Sequence, residues 1–181
     1  MVHDIVPYSL DKNLGKAYND AMALIPDGDH ICFRDGDTCW LTPDYGIHLA
    51  EYVKMYPNVI LTCWTNRIHE KSEQQMPVIR DNANMREHLV IAETQLSMLY
   101  GVTQLQGFVS GFCMVVPKSV WVNHKFAEKQ VYEDRGPFNL LGVDNDFTNR
   151  VRAAGIPVLR MDGLYLWHTY RLLTGSKQHL F

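Results

Sequence analysis

The chain has 181 residues, 46% apolar and 20% charged, with a net charge of −3. That is the balance of one globular domain, residues 1–181, with length enough for a real core. The negative charge speaks against nucleic acid gripped through its phosphates, and no apolar run approaches the roughly 18 residues that a membrane span needs.

The opening Met-Val-His-Asp lacks the basic start and apolar core of a signal peptide. Cys32, Cys39, Cys63 and Cys113 show no CxxC spacing, and three of them fall in or beside apolar runs, where a free thiol behaves as a small hydrophobe. The expected compartment is a reducing cytoplasm.

Residues 4–8 predict one short strand ending at Pro7. Ser9 or Asp11 is placed to cap a helix over Leu14, Ala17, Tyr18, Ala21 and Leu24, which recur at helical spacing. Pro26 to Asp29 is a turn, and residues 30–34 read as a buried strand. Thr42-Pro43 is expected to open a second helix whose apolar face is Ile47, Leu49, Ala50 and Val53. After Tyr56-Pro57-Asn58 comes a buried strand over 59–64, and this strand–helix–strand order suggests parallel strands. Residues 65–84, with Asn66, Arg67, His69, Glu70, Lys71 and Gln74, are polar and aperiodic. They predict a long mobile loop on the acceptor side of any site.

A helix is expected at about 85–100, with Leu89, Ala92, Leu96 and Leu99 inward and Gly101 at its end. Residues 107–116 read as a strand with glycines inside it, the mark of a bulge or of a ligand lying close to the backbone, and Pro117 ends it. Residues 122–139 are irregular. Asp144 can cap a helix carrying Phe147, Val151 and Ala154 and ending at Gly155. Two short strands follow, Pro157–Met161 and Leu164–Thr169, then a tail with Arg171, Gly175 and Lys177 that reads either as a basic lid or as solvated charge.

Asp35-Gly36-Asp37 stands at the carboxyl end of the 30–34 strand, where open α/β sheets place their ligands. Gly36 is expected to let the chain turn sharply there. Two carboxylates one residue apart can hold a hard divalent cation, and through it a diphosphate. Taken alone, the tripeptide reads equally as a polar turn.

In its wider setting the chain resembles nucleotide-sugar glycosyltransferases of the GT-A fold, closest to family 2. Asn13-Leu-Gly-Lys-Ala-Tyr-Asn19 is similar to the Asn-x-Gly helix that precedes the family's metal motif, and Ile31 to Asp37 to its strand plus Asp-x-Asp. Gly107 to Val116 is similar to the glycine-containing strand beside the donor sugar, and Leu141 to Gly155 to the helix that supplies the catalytic base. Trp167-His168 falls where some members have a third metal ligand.

The resemblance implies an α/β fold, a single-domain GT-A-like (Rossmann-like) mixed β-sheet flanked by helices. It implies metal-dependent, inverting transfer of a sugar from a nucleotide-diphosphate-sugar donor, a UDP-sugar, to an acceptor hydroxyl. Mn²⁺ or Mg²⁺ would be held by Asp37 and His168, with Asp35 on the metal or the ribose. Imidazole suits Mn²⁺ better than Mg²⁺. Asp144 would be the base, with Asp146 the alternative. Pro7, Tyr8, Asn13, Lys16, Tyr18 and Asn19 would line the nucleotide; Trp64, Asn66, Arg67, Ser110, Gly111 and Trp167 would touch the phosphates or sugar. Each also has a structural reading: Asp144 makes a good helix cap, His168 a satisfied core histidine, and Ala17 and Ala21 face the core.

Two features depart from the family. The strand–helix–strand unit that usually precedes the Asn-x-Gly helix is here a short hop from Pro7 to Asn13, and the usual Glu-Asp pair before the last helix is Val143-Asp144. Two other readings compete. Haloacid-dehalogenase-type phosphatases also place Asp-x-Asp after a strand. Thr62 or Thr65, Lys118, and Asp144 with Asp146 would be their later motifs, but Cys39 stands where they carry Thr or Val. A domain that binds nucleotide or sugar without turnover is the other.

Overall fold

The alternation of buried apolar runs with amphipathic segments produces an α/β protein built on one mixed sheet. The computed structural model describes residues 1–10, 12–68, 72–77, 84–128 and 142–169. Its strands are β1 (Val2–Ile5), β2 (His30–Arg34), β3 (Thr38–Trp40), β4 (Ile60–Trp64), β5 (Val102–Gln104), β6 (Cys113–Pro117) and β7 (Val158–His168). The helices are α1 (Leu14–Leu24), α2 (Tyr45–Met55), α3 (Met85–Gln95), the single turn α4 (Lys118–Trp121) and α5 (Val143–Ala153), with a 3₁₀ turn at Leu96–Met98. This architecture is consistent with a Rossmann-like fold. Among the described residues no helix is long and apolar enough to cross a membrane.

The sheet runs β1-β2-β6-β4-β7-β3, with β5 also on β7. β1 pairs parallel with β2, and β4 parallel with β7. β6 lies antiparallel between β2 and β4, so these two strands point the same way without being neighbours. Strand alternation sends Ile31 and Phe33 to one core with Tyr18, Met22, Phe126, Phe147 and Val151. Cys32 goes to the other core with Leu49, Tyr52, Val53, Leu61 and Leu166. Helices therefore cover both faces.

Several sequence expectations are corrected. Asn13 caps α1, its Oδ1 accepting from Lys16 N at 3.0 Å, while Ser9 Oγ accepts from Asn13 N. Asp11 lies outside the described residues. α1 buries Tyr18, Asn19 and Met22, and Leu24 is exposed. α2 starts at Tyr45, not Thr42-Pro43, and turns Leu49, Tyr52 and Val53 inward while Ile47 is exposed. α3 buries His88 and Ala92 and leaves Leu89 out, because His88 Nδ1 meets the Tyr165 hydroxyl at 2.8 Å. Residues 107–112 lead into β6 without belonging to it, and Pro117 closes that strand directly into α4.

The two expected C-terminal strands are one. β7 continues through a bulge where its pairing with β4 jumps from Cys63↔Met161 to Trp64↔Tyr165. Gly163 permits this: a Cβ there would lie 2.6 Å from Leu99 Cα. β3 and β5, three residues each, pair with β7 through His168 and Met161 respectively. Cys32, Cys63 and Cys113 are buried as expected and Cys39 is exposed.

Candidate active site

Because β1, β2, β4 and β7 all point one way, their carboxyl ends share one edge of the sheet. Pro7-Tyr8 follows β1, Asp35-Gly36-Asp37 follows β2, Asn66-Arg67 follows β4, His168 ends β7, and Ser110-Gly111 enters antiparallel β6. The topology thus gathers at one edge residues spread over most of the chain.

Asp35, Asp37 and His168 meet there, one ligand atom from each lying within 4.8 Å of the others. His168 Nε2 is 3.1 Å from Asp37 Oδ1 and 3.8 Å from Asp35 Oδ2. The backbone around them is pinned: Asp35 N donates to Phe112 O at 3.0 Å, Thr38 Oγ1 to Asp35 O at 2.6 Å, and Thr169 N and Oγ1 both to Asp37 O. Gly36 is not in a left-handed conformation; it accommodates Val6, whose Cγ1 a Cβ would meet at 3.4 Å. The chain after β1 therefore passes this turn at Val6, and Tyr8, two residues on, is 80% exposed.

His168 is buried and the two carboxylates are about half exposed, so the cluster has a protein wall and a solvent side. Burial, reinforced by the charges of Asp37 and Asp144 and partly offset by His168, pushes Asp35 up to about 6. Burial acts upward on Asp37 too, but the hydrogen bond and charge of His168 outweigh it and hold that carboxyl below its ordinary value. The donor set fits a divalent cation. Neighbouring ligands of an octahedral ion at about 2.1 Å sit about 3 Å apart; His168 and Asp37 already stand at 3.1 Å and Asp35 is further out at 3.8 Å, and two carboxylates with one imidazole suit Mn²⁺ before Mg²⁺.

Asp144 lies in the first turn of α5, which is capped by Gly142 at φ 90°, so the expected cap role falls away. Its Oδ2 instead accepts from Gly111 N at 2.6 Å and its Oδ1 from Asn145 N at 2.9 Å. Burial raises its pKa against these hydrogen bonds. Buried Tyr18 carries the electrostatic imprint of both Asp35 and Asp144: after burial itself, their charges raise its hydroxyl. Asp146 is paired with Arg150 at 2.8 Å.

Other expected site residues have structural partners. Asn19 is saturated: Nδ2 donates to Phe126 O and Glu128 Oε1, and Oδ1 accepts from Trp121 Nε1 and Phe126 N. Tyr18 packs against Phe33 and Phe126. Asn13 reaches Glu128 O, and Gly15 is there because a Cβ would overlap Ala127 O. The Asn-x-Gly segment thus docks α1 onto residues 126–128. Lys16 pairs with Asp20 on the surface. Trp64 lies under the Arg160 guanidinium at 3.3 Å. Trp167 is half-buried with its ring 6.1 Å from His88. Arg67 is half-buried just past Asn66.

Gln74 and Phe112 carry no local sequence signal, yet both build the site. Gln74, fully buried, grips Ser110 through both backbone groups, at 2.7 and 3.1 Å, and also donates to Thr62. The Phe112 ring stacks on His168 at 5.8 Å. The close approach at Gly111 is made by Asp144: a Cβ would stand 2.9 Å from Asp144 Cβ. The described parts of the 65–84 segment are tied to each other, with Thr65 N donating to Gln74 O and Met76 N to Thr65 O, both at 2.9 Å. Residues 69–71 and 78–83, and the tail with Arg171, Gly175 and Lys177, lie outside the described residues.

Lys118 stands at the far end of the sheet, since Pro117 pairs with His30, and donates to Met22 O and Ala23 O. It cannot serve an Asp35-centred phosphatase site. No protein-family model matches the sequence, and no curated protein matches it.

Proposed function

We propose that the protein is a metal-dependent glycosyltransferase of the GT-A type that moves a sugar from a nucleotide-diphosphate donor, a UDP-sugar, to an acceptor hydroxyl. The observation that carries this reading is the convergence of Asp35, Asp37 and His168 at the carboxyl ends of β2 and β7. Asp144 is held beside the same edge by Gly111.

A bound Mn²⁺ or Mg²⁺ supplies charge for the departing diphosphate. Asp35, Asp37 and His168 would hold it, and the exposed Tyr8 would offer a ring face to the nucleobase. Gly111 and Asn145 fix the Asp144 carboxylate: Oδ1 accepts from both Asn145 N and Asn145 Nδ2, while Oδ2, bonded to Gly111 N, keeps a lone pair for the acceptor. As the acceptor oxygen bonds to the anomeric carbon, its proton passes to Asp144, and the bond to the diphosphate oxygen breaks with its electron pair. A base whose pKa is raised by burial is better matched to neutral pH than an ordinary aspartate.

Calorimetric titration with UDP, with and without Mn²⁺, tests the reading, followed by release of UDP from UDP-sugars over a panel of acceptors. Divalent-dependent binding and acceptor-dependent release are expected. Equal affinity without metal would overturn the metal role, and binding without release would leave a non-catalytic domain.

A further inference from the structure

We propose that Asn66 is the positioning residue for the His168 donor, in effect an extra rung of the sheet that sets where the imidazole stands. The inference rests on the divalent-cation reading of Asp35, Asp37 and His168, and adds how the third donor is held.

β4 ends at Trp64 while its parallel partner β7 runs on to His168. Past Trp64 the ladder between them stops, and the polar groups of His168 face a position where β4 no longer supplies a strand. Asn66 fills that position with its side chain. Its Oδ1 accepts from His168 N at 2.8 Å and its Nδ2 donates to His168 O at 3.1 Å. A primary amide is the one short side chain that offers an acceptor and a donor side by side, as a peptide group does. Thr65 Oγ1 donates to the same Oδ1 at 3.3 Å, which fixes the amide's sense.

Asn66 is 0% exposed, so its two bonds are made away from competing water. Across β7, Thr38 stands directly opposite His168. Asn66 thus holds both polar groups of the ligand's backbone, Thr169 N ties the next residue to Asp37 O at 3.0 Å, and Phe112 stacks on the ring. The imidazole can then reach Asp37 at 3.1 Å in one orientation. Partners behind a metal ligand typically matter by 10–100-fold in metal affinity.

The test is Mn²⁺ binding to the full chain followed by electron paramagnetic resonance, with the nitrogen modulation of a coordinated imidazole as the signature. Wild type is expected to bind Mn²⁺ with that modulation, and His168→Gln to lose it. Asn66→Leu, which keeps the branched shape and removes both bonds, and Asn66→Ser are expected to bind about 10–100-fold more weakly with the modulation reduced. A folded Asn66→Leu protein with wild-type affinity and modulation would overturn the proposal while leaving the metal reading intact. A wild type that binds no Mn²⁺ would overturn both. Should both variants unfold, Mg²⁺ titration of the wild type followed by NMR decides: the Asn66 side-chain amide signals must move together with those of His168, and unmoved Asn66 signals overturn the inference.

Discussion

The Gly111 amide donates to Asp144 Oδ2 at 2.6 Å, and the same glycine leaves the gap into which that side chain fits. A Cβ at this position would lie 2.9 Å from Asp144 Cβ and 3.2 Å from Cγ. Gly111→Ala must therefore push Asp144 or the 107–112 segment aside. Overpacking of this kind costs about 1–3 kcal/mol, which urea denaturation will read. Displacement of the carboxylate should also lower the proposed transfer. Wild-type stability and turnover in the alanine protein would show that the contact is slack.

Asp144→Asn separates the chemical role from the structural one. The amide keeps one acceptor, but either its oxygen leaves Gly111 or its NH₂ faces a backbone N–H. A buried donor left unpaired costs about 1–3 kcal/mol, so stability should fall measurably. Removing the proton acceptor should slow transfer by roughly a hundredfold or more, with donor binding retained. If Asp144→Asn transfers normally and Asp146→Asn does not, the base is Asp146. If both transfer normally, the inverting route gives way to a retaining one without a protein base.

Asp37→Ala should remove divalent-dependent UDP binding and spare the fold. The Asp37 side chain is 49% exposed, and Thr169 N and Oγ1 both hold its backbone carbonyl, which alanine keeps. Stability should stay within about 1 kcal/mol of wild type. Calorimetry with Mn²⁺ and UDP is the check; unchanged affinity would remove Asp37 from the metal set.

What was legible in the sequence was what local pattern encodes. A buried strand ending in Asp35-Gly36-Asp37, and a strand ending in His168, could be read directly, and parallel topology then forced their ends together. The short strands Thr38–Trp40 and Val102–Gln104 could not be read, because three residues carry no period and their partner β7 lies over fifty residues away in the sequence. Gly163 reads as a strand break; it is instead the one residue that lets β7 pass Leu99. Asn66 and Gln74 look like loop polars, and only long-range contact reveals them as buried substitutes for backbone. The helix faces of α2 and α3 were misjudged at Ile47 and Leu89 because buried Tyr52 and His88 occupy the inward positions through hydrogen bonds that hydropathy does not count.

Asn19 is the counter-example among the expected nucleotide contacts, and it predicts a stability defect. Asn19→Ala strands the Trp121 indole N–H and the Phe126 amide, both bonded to Oδ1 in a buried setting. The loss should be roughly 3 kcal/mol. In protein that remains folded, UDP affinity should be unchanged. A stable variant with weakened UDP binding would return Asn19 to the nucleotide site.

The last prediction concerns pH. Burial, with the charges of Asp37 and Asp144 opposed by His168, places the Asp35 carboxyl at about 6, against 3.8 ordinarily. Between those values the folded chain keeps a proton that the unfolded chain has released. Stability changes with pH in proportion to protons bound unfolded minus protons bound folded, a negative difference here, so metal-free protein loses stability as pH rises from about 4 to about 6. Asp37 has the opposite sign, but its pKa is lowered, so its contribution changes only below that window. Asp35→Asn cannot ionise and should lack this share of the slope. Melting temperatures of both proteins at pH 4.5 and 6.5 isolate the effect, because other groups largely cancel in the difference. Metal binding has the reverse trend. The proton must leave before Asp35 can act as a ligand, so Mn²⁺ affinity should climb toward pH 6, by at most about tenfold per unit, and level off above it. Parallel pH profiles for wild type and Asp35→Asn would mean that solvent, which reaches 44% of this side chain, screens the carboxyl back to its ordinary value.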